Sequence, residues 1–312
     1  MRSKSERYKP TKTVSGILMM ILHALSVSIY YIISKQLTQS LHPFQVAFLY
    51  KFAILLAIIP WCLHGDFRKN LKTKRIGTHV ARGAFSLFGS LCFFVAIKSI
   101  PTTNAAAITY LEPILILIIG SLYFKEDITK PNIVMVIFGV VGAMLIIKPG
   151  FVSFNIYYIY LFMALIFWAL NCTVIKMLGS TERSKAQIFY VMLFSSMFSM
   201  PLASYEWKPL ELWHMKYIFA IAACYLIHTI AFFKAFKFAS MTSVMPFDYC
   251  RLVFTAILSF FILKEVPDKY SLIGYALIIC GGLYSILHET AKSKKKLVVA
   301  QKSIIEANHD QI

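Results

Sequence analysis

Five charged side chains sit inside long apolar runs: Lys51, Arg82, Glu112, Asp248 and Arg251. A charge at bilayer depth costs at least about 2.5–3.5 kcal/mol on insertion scales, so it faces the interior and has work or a partner there. Asp248 and Arg251 are three residues apart and therefore share one face of a helix. Such a pair can hold a zwitterion, or it can satisfy itself and only fix helix packing. Glu112 is followed by Pro113, and proline withholds a backbone donor and loosens the helix around it. That is where a binding notch or a gating bend is expected. Lys51 is either a substrate contact or an internal counter-ion for Glu112 or Asp248. Arg82 lies about a turn inside its run and either reaches the site or snorkels to the interface.

The chemistry these groups offer is recognition of a small charged solute. Carboxylates at Glu112 and Asp248 attract cationic centres, and Arg251 can pair bidentately with a carboxylate. Aromatic rings can stack on a flat heterocycle or lie against a cation. Tyr110 and Tyr249 flank the charged positions, and Phe247, Trp168, Tyr225 and Phe93 are further candidates. No nucleophile–base constellation is present in the apolar runs, which speaks against an enzyme. The eight histidines form no metal motif, and there is no Walker sequence, so neither a metal nor a cofactor is expected. His228 is a hydrogen-bonded packing residue or a proton relay. Asn171, Thr173 and Ser195 are expected to join helices by hydrogen bonds, and Gly139–Gly142 with Gly281-Gly282 to let them approach closely. The six cysteines are dispersed without paired spacing and read as small apolar fillers.

The elements that must carry these groups follow from composition. Of 312 residues, 58% are hydrophobic and only 15% charged, whereas a soluble domain is closer to half apolar and a quarter charged. The chain is predicted to be an all-α membrane protein in contact with the lipid bilayer. About 20 apolar residues cross the hydrocarbon layer as a helix. Ten such stretches are present: 15–34, 44–63, 77–97, 104–124, 132–147, 156–175, 186–203, 217–233, 241–263 and 270–288. They are too long and too continuous for barrel strands.

The net charge of +18 comes from short Lys and Arg clusters between these runs, the pattern of topology signals rather than of a nucleic-acid surface. With the N-terminus inside, 22 of the 32 basic residues fall on the inner side, seven on the outer side and three within spans. Both termini are thus expected in the cytoplasm, the chain lying in the cell (inner) membrane. The first run is as long as a full span and lacks a small-residue cleavage site, so it reads as a retained helix and not a signal peptide. Residues 1–14 are expected to form the cytoplasmic N-tail and residues 289–312 the cytoplasmic C-tail, of which 293–312 is polar and expected to be poorly ordered.

Ten spans can be five plus five. An offset of 139 aligns Ala96-Ile97-Lys98 with Ala235-Phe236-Lys237, Thr103 with Thr242, Tyr110 with Tyr249, Lys125-Glu126 with Lys264-Glu265, and Gly142 with Gly281. The expected units are residues 15–148 and 156–288. Because five is odd, the second enters the membrane inverted, and inverted repeats are characteristic of secondary transporters with a midplane site between the halves.

The run from Ala96 to Ala107, then Leu111-Glu112-Pro113 and Phe124-Lys125-Glu126, resembles the drug/metabolite transporter superfamily, EamA type. Within it, Pro246-Phe247-Asp248-Tyr249-Cys250-Arg251-Leu252 is similar to the ninth-helix segment of bacterial S-adenosylmethionine uptake carriers. The acid–proline pair is not repeated, because Glu112-Pro113 aligns with Arg251-Leu252. The resemblance implies import of S-adenosylmethionine, in exchange for S-adenosylhomocysteine. Handling of another metabolite, an amino acid or a cationic drug, proton-coupled at Glu112, is the alternative.

Overall fold

The computed structural model describes residues 10–64, 66, 70–124, 130–148, 155–178, 182–238 and 244–309, and among these there is no strand. The helices are α1 (Pro10–Ser40), α2 (Pro43–Leu63), α3 (Ile76–Ser99), α4 (Thr102–Thr109), α5 (Glu112–Phe124), α6 (Lys130–Ile147), α7 (Tyr157–Leu178), α8 (Ser184–Tyr205) and α9 (Leu212–Phe238). A 3-10 turn over Met245–Tyr249, α10 (Cys250–Leu258), a π turn over Ser259–Leu263 and α11 (Lys269–His309) complete the chain.

Eight of these helices, α1, α2, α3, α6, α7, α8, α9 and α11, contain stretches long and apolar enough to cross a membrane. The two remaining stretches, expected from hydropathy as continuous spans, are broken. In the first, Tyr110 and Leu111 make tight amide bonds back to Ala107 (3.1 Å) and Ile108 (2.9 Å), and a new helix starts at Glu112. Pro113 falls in the first turn of that helix, where its missing N–H is no loss. In the second, the chain runs through the 3-10 turn that holds Pro246 before α10 begins. Hydropathy averages over a window and does not see these short interruptions. Under the offset of 139 the two breaks coincide, at Tyr110 and at Tyr249.

The principal helix contacts all cross from the first part of the chain to the second: α1 packs on α9, α3 on α7, α2 on α8 and α6 on α11. One buried cluster running from Val27 to Ile278 fills the space between them, with Tyr50, Phe93 and Phe94 among its largest fully buried side chains. The α6–α11 crossing is close because glycine meets backbone. A Cβ on Gly142 would lie 2.7 Å from the Gly274 carbonyl oxygen, and one on Gly274 would lie 2.6 Å from that of Gly142.

At one end of the bundle the Glu265 carboxylate accepts from the Thr102 amide (2.6 Å), where α4 begins, and lies 3.7 Å from the Lys35 ammonium. A cleft of about 470 Å³ opens here, lined by Lys35, Gln36, Gln39, Trp213 and Tyr217 with Glu265. Close by in sequence, Asp268 caps α11 through the Tyr270 and Ser271 amides and pairs with Lys148 at 2.7 Å. Burial alone would raise this carboxyl, but the Lys148 ammonium and the Ser271 amide and hydroxyl outweigh it and hold it down to about 2.

Two expectations are corrected or left aside. The C-terminal tail is not irregular, since α11 continues to His309. Its residues after His288 include no Gly or Pro and are rich in Lys and Ala, which are good helix formers, so the last span propagates outward. Thr242 and Lys125-Glu126, used in the repeat alignment, lie outside the described residues, as does most of the N-tail.

Candidate functional site

The break in the second half carries the densest polar cluster of the interior. Asp248 is buried in its 3-10 turn, with Oδ2 3.4 Å from Arg251 Nη2 across the expected three-residue spacing. Its other oxygen, Oδ1, lies 3.4 Å from His23 Nε2 on α1. The Arg251 carbonyl oxygen sits 2.9 Å from the Ser28 hydroxyl and 2.7 Å from that of Thr255, which clamps this turn to α1. Such anchoring is needed, because a buried ion pair repays its desolvation only when its surroundings hold it in place.

The break in the first half supplies the opposite wall. The Tyr110 hydroxyl donates to the Asp248 carbonyl at 2.7 Å and accepts from Arg251 Nε at 3.2 Å. The guanidinium carbon stands 4.3 Å from the centre of the Tyr110 ring, within cation–π range. Tyr110 and Tyr249 stack nearly parallel, centroids 4.8 Å apart and planes inclined by 16°. Tyr249 is seated by Gly282, where any Cβ would overlap its hydroxyl.

Glu112 follows Tyr110 by two residues and lies close enough to feel the Arg251 and Asp248 charges. The Cys172 thiol, a weak donor, points at its Oε1 from 3.7 Å. Among the described residues no cation stands within ion-pair distance of Glu112. Cys172 thus has a polar partner and is more than an apolar filler.

The other candidates lie apart from this cluster. Lys51 is buried and donates to the Ser86 hydroxyl at 3.0 Å; among the described residues it has no carboxylate partner, so it is not the counter-ion of Glu112 or Asp248. Arg82 is engaged within the protein. It is buried and donates to Asn171 Oδ1 (3.3 Å) and to the Gln187 carbonyl (2.9 Å). Trp168 covers Gly89 and packs 5.4 Å from the Phe93 ring. Phe247 packs into a separate apolar group with Met20, Ala235 and Val244. Other rings of the interior stand in contact with one another: Tyr30 lies 6.0 Å from Phe93, Tyr50 6.2 Å from Tyr225, and Tyr225 4.9 Å from His228.

Sequence reasoning missed His23 and Tyr31. His23 could have been found by the rule that drew attention to His228, an ionisable ring inside an apolar run. Tyr31, whose hydroxyl donates to Thr109 at 3.2 Å and which faces Arg251, Glu112 and Asp248, carries no such signal among 17 tyrosines. Ser195 joins α8 to the Gly83 carbonyl of α3 at 2.8 Å, as expected of interhelical glue, whereas Thr173 bonds to Ala169 within its own helix. Among the described residues no group of three or more His, Cys, Asp or Glu could hold a metal ion. The assembled chemistry is that of binding: a carboxylate beside a guanidinium, a second carboxylate nearby, and stacked rings.

The EamA-like transporter family model matches residues 14–148 and again residues 155–287. An S-adenosylmethionine uptake transporter of Rickettsia bellii (strain RML369-C) is 30% identical over 288 residues, 92% of this chain and 98% of the relative. A pseudopaline exporter of Pseudomonas aeruginosa (strain UCBPP-PA14) is 24% identical over 267 residues, 85% of this chain and 93% of the exporter. A crystal structure at 16% identity superposes with a TM-score of 0.60, covering 91% of this chain and 99% of its own, a likeness of fold alone. With these matches over nearly its whole length, the chain belongs to the EamA-like transporter family and is a multi-pass membrane transporter of small molecules, not an enzyme.

Proposed function

We propose that this transporter is a secondary carrier that imports S-adenosylmethionine across the cell (inner) membrane by alternating access, in exchange for S-adenosylhomocysteine. The observation that carries the substrate is the Asp248–Arg251 pair against the Tyr110–Tyr249 stack, with Glu112 beside it. S-adenosylmethionine presents a sulfonium, an ammonium, a carboxylate and an adenine. Glu112 and Asp248 receive the cationic centres, Arg251 the carboxylate, and the tyrosine pair the adenine face or the sulfonium. Lys51, Arg82 and Trp168 form the deeper wall, and Phe247 backs the Asp248 turn. The Rickettsia relative, named for uptake of the same compound, supports this assignment.

In this proposal the ten stretches cross the membrane as two inverted five-helix repeats, with both termini cytoplasmic. Three observations support it. The family model matches twice. The two breaks fall at equivalent positions. A two-fold axis exchanging the halves would also turn the α1–α9 contact into the α7–α3 contact and return α2–α8 and α6–α11 to themselves, and these are the four principal pairings. Rocking of one half against the other then exposes the site to each side in turn. The orientation rests on the Lys and Arg bias.

The test is uptake of radiolabelled S-adenosylmethionine into liposomes holding only this protein, with S-adenosylhomocysteine, methionine and adenosine as competitors. Competition by S-adenosylhomocysteine is expected. Competition by methionine alone would reassign the carrier to amino acids, and no uptake at all would reject the substrate. The pseudopaline exporter among the relatives favours a second reading, export or exchange of another zwitterionic metabolite or cationic drug. Efflux from preloaded liposomes distinguishes it.

A further inference from the structure

His23 touches two acceptors and can satisfy only one of them while neutral. Its Nδ1 lies 2.9 Å from the His228 carbonyl oxygen on α9. A carbonyl only accepts, so Nδ1 carries the hydrogen, and in the neutral ring Nε2 presents a lone pair. That lone pair faces Asp248 Oδ1 at 3.4 Å, an oxygen that is buried and lacks a hydrogen-bond donor. Two acceptors in contact repel, and a buried carboxylate oxygen without a donor is costly. Either of two additions relieves the contact: a second proton on His23, or a cation placed at Oδ1.

We infer that a proton on His23 and the cationic centre of the substrate compete for Asp248 Oδ1, so that binding the cation breaks the Nε2–H bond and releases that proton to water. This inference rests on the proposed role of Asp248 in holding a substrate cation. Among the described residues the charged and titratable groups facing His23 are few. They are Asp248 from the 3-10 turn, Arg251 from α10 and His228 from α9, whose ring lies 5.4 Å away, edge-on. The cations of the other helices packed on α1 are engaged elsewhere, Lys51 of α2 with Ser86 and Arg82 of α3 with Asn171 and Gln187. Arg251 holds the opposite oxygen, Oδ2, so it does not relieve Oδ1. The Lys35–Glu265 pair sits twelve residues further along α1, about 18 Å at helical rise.

His23→Gln keeps a donor for the carbonyl and removes the titration. In liposomes, the half-saturating S-adenosylmethionine concentration of the unaltered protein is expected to rise about tenfold from pH 7.5 to pH 5.5, and that of His23→Gln less than about twofold. An equal rise in both proteins would overturn the inference while leaving the substrate assignment standing. A second measurement counts protons directly: adding S-adenosylmethionine to weakly buffered protein in detergent is expected to release protons, followed with a pH-indicator dye, and His23→Gln to release none. Equal release from both proteins, or none from either while S-adenosylmethionine binds, would also overturn the inference.

Discussion

The two breaks are the same backbone device carrying opposite charge. Each puts a tyrosine at the interruption, and the next turn places Glu112 in one half and Arg251 in the other. Arg251 is fully engaged, with Asp248, the Tyr110 hydroxyl and the Tyr110 ring around its guanidinium. Glu112 has the Cys172 thiol. In the proposed site the second half therefore supplies a paired guanidinium, and the first half a carboxylate whose partner is a thiol.

That contrast can be broken most sharply at Arg251. Replacing it by Met leaves Asp248 buried and uncompensated, a loss of about 3–5 kcal/mol for a broken buried pair. Thermal unfolding in detergent should show it, and Asp248→Asn in the Arg251→Met background should recover part of the loss. Glu112→Gln should do the reverse, with little change in unfolding and an affinity for S-adenosylmethionine lower by about tenfold or more, from about 1.5–3 kcal/mol for a lost charged interaction. Titration calorimetry would reveal it, and S-adenosylhomocysteine should lose less, having no sulfonium. Equal loss for both ligands would show that Glu112 does not recognise the cation.

The tyrosines sharpen the comparison further. Tyr110→Phe removes a bond to the Asp248 carbonyl and one from Arg251 and should cost about 1–2 kcal/mol of stability. Tyr249→Phe should cost less, since Tyr249 contributes mainly its ring. Smallest is Asp268→Asn at the end of the bundle. The Asp268 carboxyl is depressed, so its contribution is complete above the usual carboxylate range and lost as pH falls toward about 2. The variant should therefore lower the unfolding temperature slightly and equally from pH 5 to pH 8.

Much of this arrangement was legible in the residues. Apolar length located the helices, and the cost of burying charge singled out Glu112, Asp248 and Arg251. The spacing of Asp248 and Arg251 gave their pairing, since three residues on a helix meet by local geometry alone. His23 and Asp248 are 225 positions apart, and no periodicity announces a contact of that range. The same holds for Cys172 against Glu112. The breaks were half visible: Pro113 and Pro246 mark them, but the first departs from α geometry two or three residues before its proline, whereas the second takes in Pro246 itself. Lys51 shows the limit of charge counting, because burial alone did not say whether its partner would be a carboxylate or the Ser86 hydroxyl.

The length of α11 has a mechanical consequence. Its 41 residues make a rod of about 60 Å, twice the roughly 30 Å of hydrocarbon it has to traverse. The overhanging half carries Lys292, Lys294, Lys295, Lys296 and Lys302, and each lysine near an anionic leaflet gains about 1 kcal/mol. Under the proposed orientation this basic overhang meets the cytoplasmic leaflet, where acidic phospholipid would hold the last helix like a keel while the rest of the bundle swings.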